Sequence, residues 1–189
     1  MTLFVLVKRS LLPNIYSMKR VFAVVVCFLI FFFSCSEPLD AGKVESDKIV
    51  LDRDSGEPVE VIAPKGAVEF PGAEPEDMLG LYTVYSRKVR AENFAIEVEF
   101  TTLSNVEEEE IVEEKLEEIK MDSDLFRVIK KRKDGFLFET KEINGDLNYG
   151  FLKLIVTKNK YVVISPEPKP EGNTCLEEAT YMYDILNRK

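Results

Sequence analysis

The nine residues from Asn93 to Thr101 constrain the fold of this chain more than any other stretch. Phe94, Ile96, Val98 and Phe100 alternate with Ala95, Glu97 and Glu99. A period of two puts the apolar side chains on one face of a strand and the carboxylates on the other. A strand of that kind belongs in an antiparallel sheet with one face covered and one face wet.

Other runs point the same way. Lys48 to Arg53 and Pro58 to Ile62 read as a strand pair around Asp54-Ser55-Gly56. The acids there do not make a calcium loop, because Gly56 falls at the fifth position, where a liganding oxygen is needed. Leu81 to Lys88 reads as a further strand. Phe126–Lys131, Phe136–Glu142, Leu147–Thr157 and Lys160–Ser165 read as a meander, turning at Lys133-Asp134-Gly135, Asn144-Gly145 and Lys158-Asn159. Between Pro64 and Gly80 lies an irregular stretch with Glu69, Glu74, Glu76 and Asp77, in which Ala67 to Phe70 can still pair with a sheet. A connection of that length is uncommon unless it is functional, which makes it the first candidate for a binding loop.

Two helices complete the pattern. Ser104-Asn105-Val106-Glu107 forms a capping box ahead of a helix that runs to about Met121, with Ile111 or Val112, Leu116 and Ile119 as its buried stripe. Glu107 to Glu110, Glu113, Glu114, Glu117 and Glu118 make its other face acidic. Pro166, Pro168 and Pro170 keep the chain extended before a last helix, capped by Asn173 or Thr174. Leu176, Ala179, Met182 or Tyr183, and Leu186 are its apolar positions. Both helices are expected on one sheet face. The expected class is α+β: a mainly antiparallel sheet of about six to eight strands with two helices packed on it.

The N-terminal fifth reads differently. Lys19 and Arg20 precede thirteen apolar residues, Val21 to Phe33, and then Ser34-Cys35-Ser36-Glu37. Thirteen helical residues span about 20 Å, short of the roughly 30 Å of a hydrocarbon core. Basic start, apolar centre and small-residue processing site are the parts of a secretory signal. Phe32-Phe33-Ser34-Cys35 resembles the bacterial lipobox, with phenylalanine where leucine is usual, and the Phe-rich signal with Ser-Cys-Ser resembles those of Bacteroidota lipoproteins. The resemblance implies diacylglyceryl transfer to the Cys35 thiol, cleavage before it and a lipid-anchored place in the cell envelope. Ordinary secretion with a cut after Ser36, and an uncleaved anchor, are the alternatives. Met18 is a second candidate start. The expected organisation is a signal over 1–35, a flexible tether over 36–47 and one domain over 48–189.

Composition narrows the partners. Residues 1–35 hold four of the 25 basic residues and none of the 34 acidic ones, so the remainder carries a net charge of −13. Phosphate backbones would be repelled, which argues against nucleic acid. Cys27 and Cys35 lie in the signal and lipobox, leaving Cys175 as the one thiol, read either as a reactive group at a helix start or as a small packing residue. The chain has no histidine. That excludes Ser-His-Asp and Cys-His catalysis and histidine-ligated metals. No cofactor motif is present. Against the acidic background, Lys130, Lys131, Arg132 and Lys133 stand out as a candidate binding surface for an anionic ligand or partner, with pairing to the chain's own acids as the alternative.

The element order resembles the PsbP-like α/β/α sandwich of small secreted lipoproteins and photosystem accessory subunits. That resemblance implies a module that binds or helps assemble other proteins, and it carries no functional residue onto this sequence. Two functions follow as expectations: a non-catalytic lipoprotein that binds an envelope protein or small ligand, or an envelope hydrolase using carboxylates or the Cys175 thiol.

Overall fold

The computed structural model describes residues 39–52, 57–102, 108–121, 126–142, 145–170 and 172–188. The expected signal, the lipobox at Cys35, the Ser104–Glu107 capping box and the Asp54-Ser55-Gly56 turn lie outside the described residues. No described helix is long and apolar enough to cross a membrane.

The class is α+β. Strands β1 (Ser46–Leu51) and β2 (Val59–Pro64) form an antiparallel hairpin. Strands β3 (Val68–Pro71), β4 (Glu76–Met78), β5 (Tyr82–Ala91), β6 (Phe94–Thr101), β7 (Phe126–Arg132), β8 (Gly135–Lys141), β9 (Leu147–Val156) and β10 (Tyr161–Pro166) make one eight-stranded antiparallel sheet. Its order is β3-β5-β6-β10-β9-β8-β7, with β4 also paired to β5. Helix α1 spans Glu108–Met121 and helix α2 spans Leu176–Leu186.

The alternation in β6 does what its period requires. Phe94, Ile96, Val98 and Phe100 are all buried in the larger core, beside Val89, Val162 and Ile164 of the neighbouring strands. Leu51, Val59, Val61 and Ala63 of the hairpin and Ala179, Met182, Tyr183 and Ile185 of α2 close that face. Burying a Leu or Val side chain contributes about 1.5–3 kcal/mol, so the hairpin is held chiefly by its own apolar side.

The two helices do not share a face, contrary to the expectation above. Strand β9 explains why. Phe151 and Ile155 join the core under α2, whereas Leu152 and Leu154 join Ile111, Val112 and Leu116 of α1. Apolar residues at both parities leave two faces to bury, and each takes a helix. Phe138 lies against Gly150 on the α1 side, where a Cβ would come within 2.5 Å of its ring.

Local structure departs from the sequence reading in three further places. The stretch expected as a tether is docked from Leu39 on. Leu39, Ala41 and Val44 pack against the core, Ala41–Lys43 is a 3-10 turn capped by Asp40, and β1 begins at Ser46. Arg188, just past α2, donates to the Val44 carbonyl and so joins the two ends of the domain. The α2 cap is Cys175 rather than Asn173 or Thr174, because Thr174 is drawn onto β9: its N–H donates to Asn148 and its carbonyl accepts from Tyr149. In the region 64–80, β3 falls on the stretch expected to pair with a sheet, and Glu76–Met78 adds a second short edge strand, β4, that the sequence did not mark.

A polar clamp fastens the hairpin to the sheet. Lys160 is 3% exposed and donates to the Asp52 carboxylate, which also accepts from the Tyr85 hydroxyl at 2.6 Å. The Lys160 ammonium lies 5.5 Å from the centre of the Phe100 ring, and that ring stacks on Tyr85 at 4.8 Å. Burial, with the bond to Asp52, pushes the Tyr85 phenol far above its ordinary range, so it stays a donor. Nearby, Thr157 and Asn159 both donate to Glu57 across the same junction. Removing one partner of a buried pair strands the other, at about 3–5 kcal/mol. We therefore expect Asp52→Ala to cost about that much in urea denaturation, and Asp52→Ala with Lys160→Met to recover most of it. A double variant as unstable as the single one would show that packing, not charge, holds the clamp.

Candidate functional site

The sheet has two edges, and the edge built by β3 and β4 carries the most unusual surface. Register places Val68 and Phe70 of β3 beside Arg90 and Lys88 of β5, on the sheet face that α1 covers farther along. Among the described residues the apolar cluster under the helix draws on β7, β8, β9 and β10, and Val68 and Phe70 remain 53% and 40% exposed. The Arg90 guanidinium sits 5.2 Å from the centre of the Phe70 ring.

Between β3 and β4 the chain passes tightly over Ser86. Its N–H donates to the Ala73 carbonyl, and its hydroxyl accepts from the Ala73 N–H and donates to Glu97. A Cβ on Gly72 would lie 2.3 Å from that hydroxyl oxygen, which is why a glycine stands there.

The β4–β5 turn is the exposed tip of the edge. Leu79 and Gly80 both have left-handed backbone, at φ 61° and 73°. The Leu81 N–H donates to the Met78 carbonyl and the Gly80 N–H to the Asp77 carboxylate. Two consecutive positive φ values in a tight turn favour Asn-Gly or Gly-Gly. A leucine there costs about 1–2 kcal/mol. Its side chain regains none of that through packing, because Leu79 is 93% exposed and its neighbour Leu81 74%. The tip thus combines backbone strain with exposed apolar side chains, which makes it the candidate site. The sequence reading chose this region but none of these residues; the signal was an apolar Met-Leu-Gly-Leu run where turn chemistry calls for polar residues.

A three-part ion pair braces the inner side of the edge. Glu167, just past β10, accepts two bonds from the Arg90 guanidinium and one from Lys88 at 3.0 Å. The Arg90 bonds, with help from Lys88, outweigh partial burial and hold the Glu167 carboxyl down to about 2.

The basic cluster is divided by the fold. A β-bulge between Val128 and Lys130 shifts the parity of β7. Lys130 then pairs with Asp184 of α2, while Lys131 pairs with Glu113 of α1 on the opposite face. The Arg132 guanidinium lies 6.0 Å from the Tyr183 ring centre. Tyr183 is fully buried, its hydroxyl has no hydrogen-bond partner among the described residues, and burial pushes its phenol up to about 12. Lys133 sits in the β7–β8 turn. The four residues therefore do not converge on one point.

Cys175 is exposed rather than a packing residue. Its backbone N–H donates to the Glu178 carboxylate. On α1, Glu110, Glu113, Glu114, Glu117 and Glu118 all lie on the open face. Among the described residues no group of three or more Cys, Asp or Glu side chains could hold a metal ion.

Comparison with protein-family models, with curated proteins and with solved structures gave no match. The PsbP-like resemblance rests on element order.

Two outcomes test this geometry. Replacing the strained tip residue, Leu79→Asn, should raise stability by about 1 kcal/mol in urea denaturation; a loss would show that the leucine packs. The carboxyl of Glu167 is lowered in the folded state, so its stabilisation is complete above the ordinary carboxylate range, near pH 4.5, and disappears as pH falls to about 2. Glu167→Gln should remove that component, and the variant and parent should converge in stability at the acid end of a pH series.

Proposed function

We propose that this chain is a membrane-anchored bacterial envelope lipoprotein whose domain is a non-catalytic binding or assembly module, engaging a protein partner through the β3–β4 edge. The observation that carries the reading is the exposed Leu79, kept in left-handed backbone beside Leu81 and Met78. An interaction surface repays such strain when the side chain is buried by a partner. The anchoring part rests on the sequence from Lys19 to Glu37, with Cys35 as the acylated residue. The anchor would hold the domain on the outer membrane, at its periplasmic or its external side.

A carboxylate hydrolase is the weaker reading. The acids of α1 lie on open helix surface, and Glu113, Glu117 and Glu118 each pair with a lysine.

Anchor and edge are tested separately. Labelled palmitate should enter the wild-type chain and not Cys35→Ala, which should move from the membrane to the soluble fraction. Cross-linking in intact cells should join the wild-type domain to a protein partner. Leu79→Asn with Leu81→Ser should reduce that adduct by about tenfold or more, since each buried leucine contributes about 1.5–3 kcal/mol. An undiminished adduct would remove the edge from the proposal.

A further inference from the structure

The two edges of the sheet carry opposite charge. From Val68 to Leu81 the sequence contains Glu69, Glu74, Glu76 and Asp77 and no lysine or arginine. From Phe126 to Lys133 it contains Arg127, Lys130, Lys131, Arg132 and Lys133 and no acid. The first stretch is the β3–β4 edge and the second is β7 with its turn, at the opposite end of the strand order. Each edge strand pairs on one side only, which leaves backbone N–H and C=O groups facing outward. Each also exposes apolar side chains: Val68, Phe70 and Met78 on one, and Ile129 at the bulge on the other.

From this we infer that copies of the chain associate edge to edge, β7 of one against β3–β4 of the next. The inference rests on the reading of β3–β4 as a binding edge and names its occupant as a second copy. Like edges repel, acid against acid and base against base, and the bulge and basic side chains of β7 hinder pairing with another β7. Unlike edges attract. The bases of β7 already meet acids of their own chain, but Lys130 and Lys131 remain close to half exposed in those pairs. Exposed pairs are worth little and exchange partners readily. On the other edge, Glu74 and Glu76 have no ion-pair partner among the described residues. Such a contact joins two different surfaces, so each added copy presents a fresh edge, and the product is a chain of copies rather than a closed dimer.

Sedimentation velocity of the full-length chain in detergent tests this. At about 50 mM salt the average size should rise with protein concentration, and at about 1 M salt association should weaken by at least about tenfold. Two variants blunt one edge each and touch no described ion pair: Glu74→Lys with Glu76→Lys, and Ile129→Glu with Arg132→Glu. Each alone should associate weakly. Mixed in equal amounts they retain one intact acidic edge and one intact basic edge, so they should form heterodimers and stop at two. A wild-type monomer at every concentration and salt overturns the inference while leaving a different partner at β3–β4 standing. Mixtures that behave like the separate variants, or variants that associate as wild type does, also overturn it. Mixing is informative about folding as well, since misfolded variants would not restore each other.

Discussion

Strands β9 and β10 bury both of their faces, and the layer order follows from that. In β9, Phe151 and Ile155 turn toward α2 while Leu152 and Leu154 turn toward α1. In β10, Val162 and Ile164 take the first side and Val163 the second. A strand apolar at both parities cannot leave one side in water without exposing several large side chains. The helices are therefore driven to opposite faces, and the hairpin β1–β2 fills what α2 leaves uncovered. On the α1 side no helix reaches β3 and β5. That part of the face is left to charged pairs and to the exposed Val68 and Phe70.

Two devices at one end of the sheet contrast in their energetics. Val84, Thr101 and Tyr161 lie side by side there, so the Asp52–Lys160–Tyr85 clamp and the Met78–Leu81 tip are neighbours in the same region of the fold. The clamp places charge in a dry site and compensates it, with the Asp52 carboxylate and the Phe100 ring face against the ammonium and the Tyr85 phenol donating to the carboxylate. The tip does the reverse, placing apolar surface in water on a backbone conformation that opposes it. The first arrangement rigidifies the platform. The second is stable only because that platform holds the two strands below the turn.

Charge distribution sets the character of the surface. Most cations of the folded domain are spent on nearby acids: Lys88 and Arg90 on Glu167, Lys130 on Asp184, Lys131 on Glu113, Lys153 on Asp134. What remains unbalanced is acidic, and on the β3–β4 edge it surrounds apolar side chains. A surface of that composition favours a partner that is both cationic and apolar, and one such surface exists on the chain's own far edge.

The sequence alone determined the strands other than the short edge strand β4, the two helices and the α+β class, because period-two and helical periodicities are local properties of the chain. It also carried the signal-like N-terminus and the acidic balance. It did not determine the helices' faces, because parity in β9 and β10 becomes meaningful only when both sides are packed. It missed the buried Lys160, which stands beside a turn that looks solvated, and whose carboxylate partner Asp52 lies 108 residues away. It left the basic run of β7 open between one binding patch and pairing with the chain's own acids; alternation along the strand sends Lys130 and Lys131 to opposite faces, each onto an acid, and the bulge sets which face each takes. Only the tertiary structure showed that Leu79 and Leu81 protrude. Whether an apolar side chain is buried depends on what comes to lie over it, and that is decided by residues far along the chain.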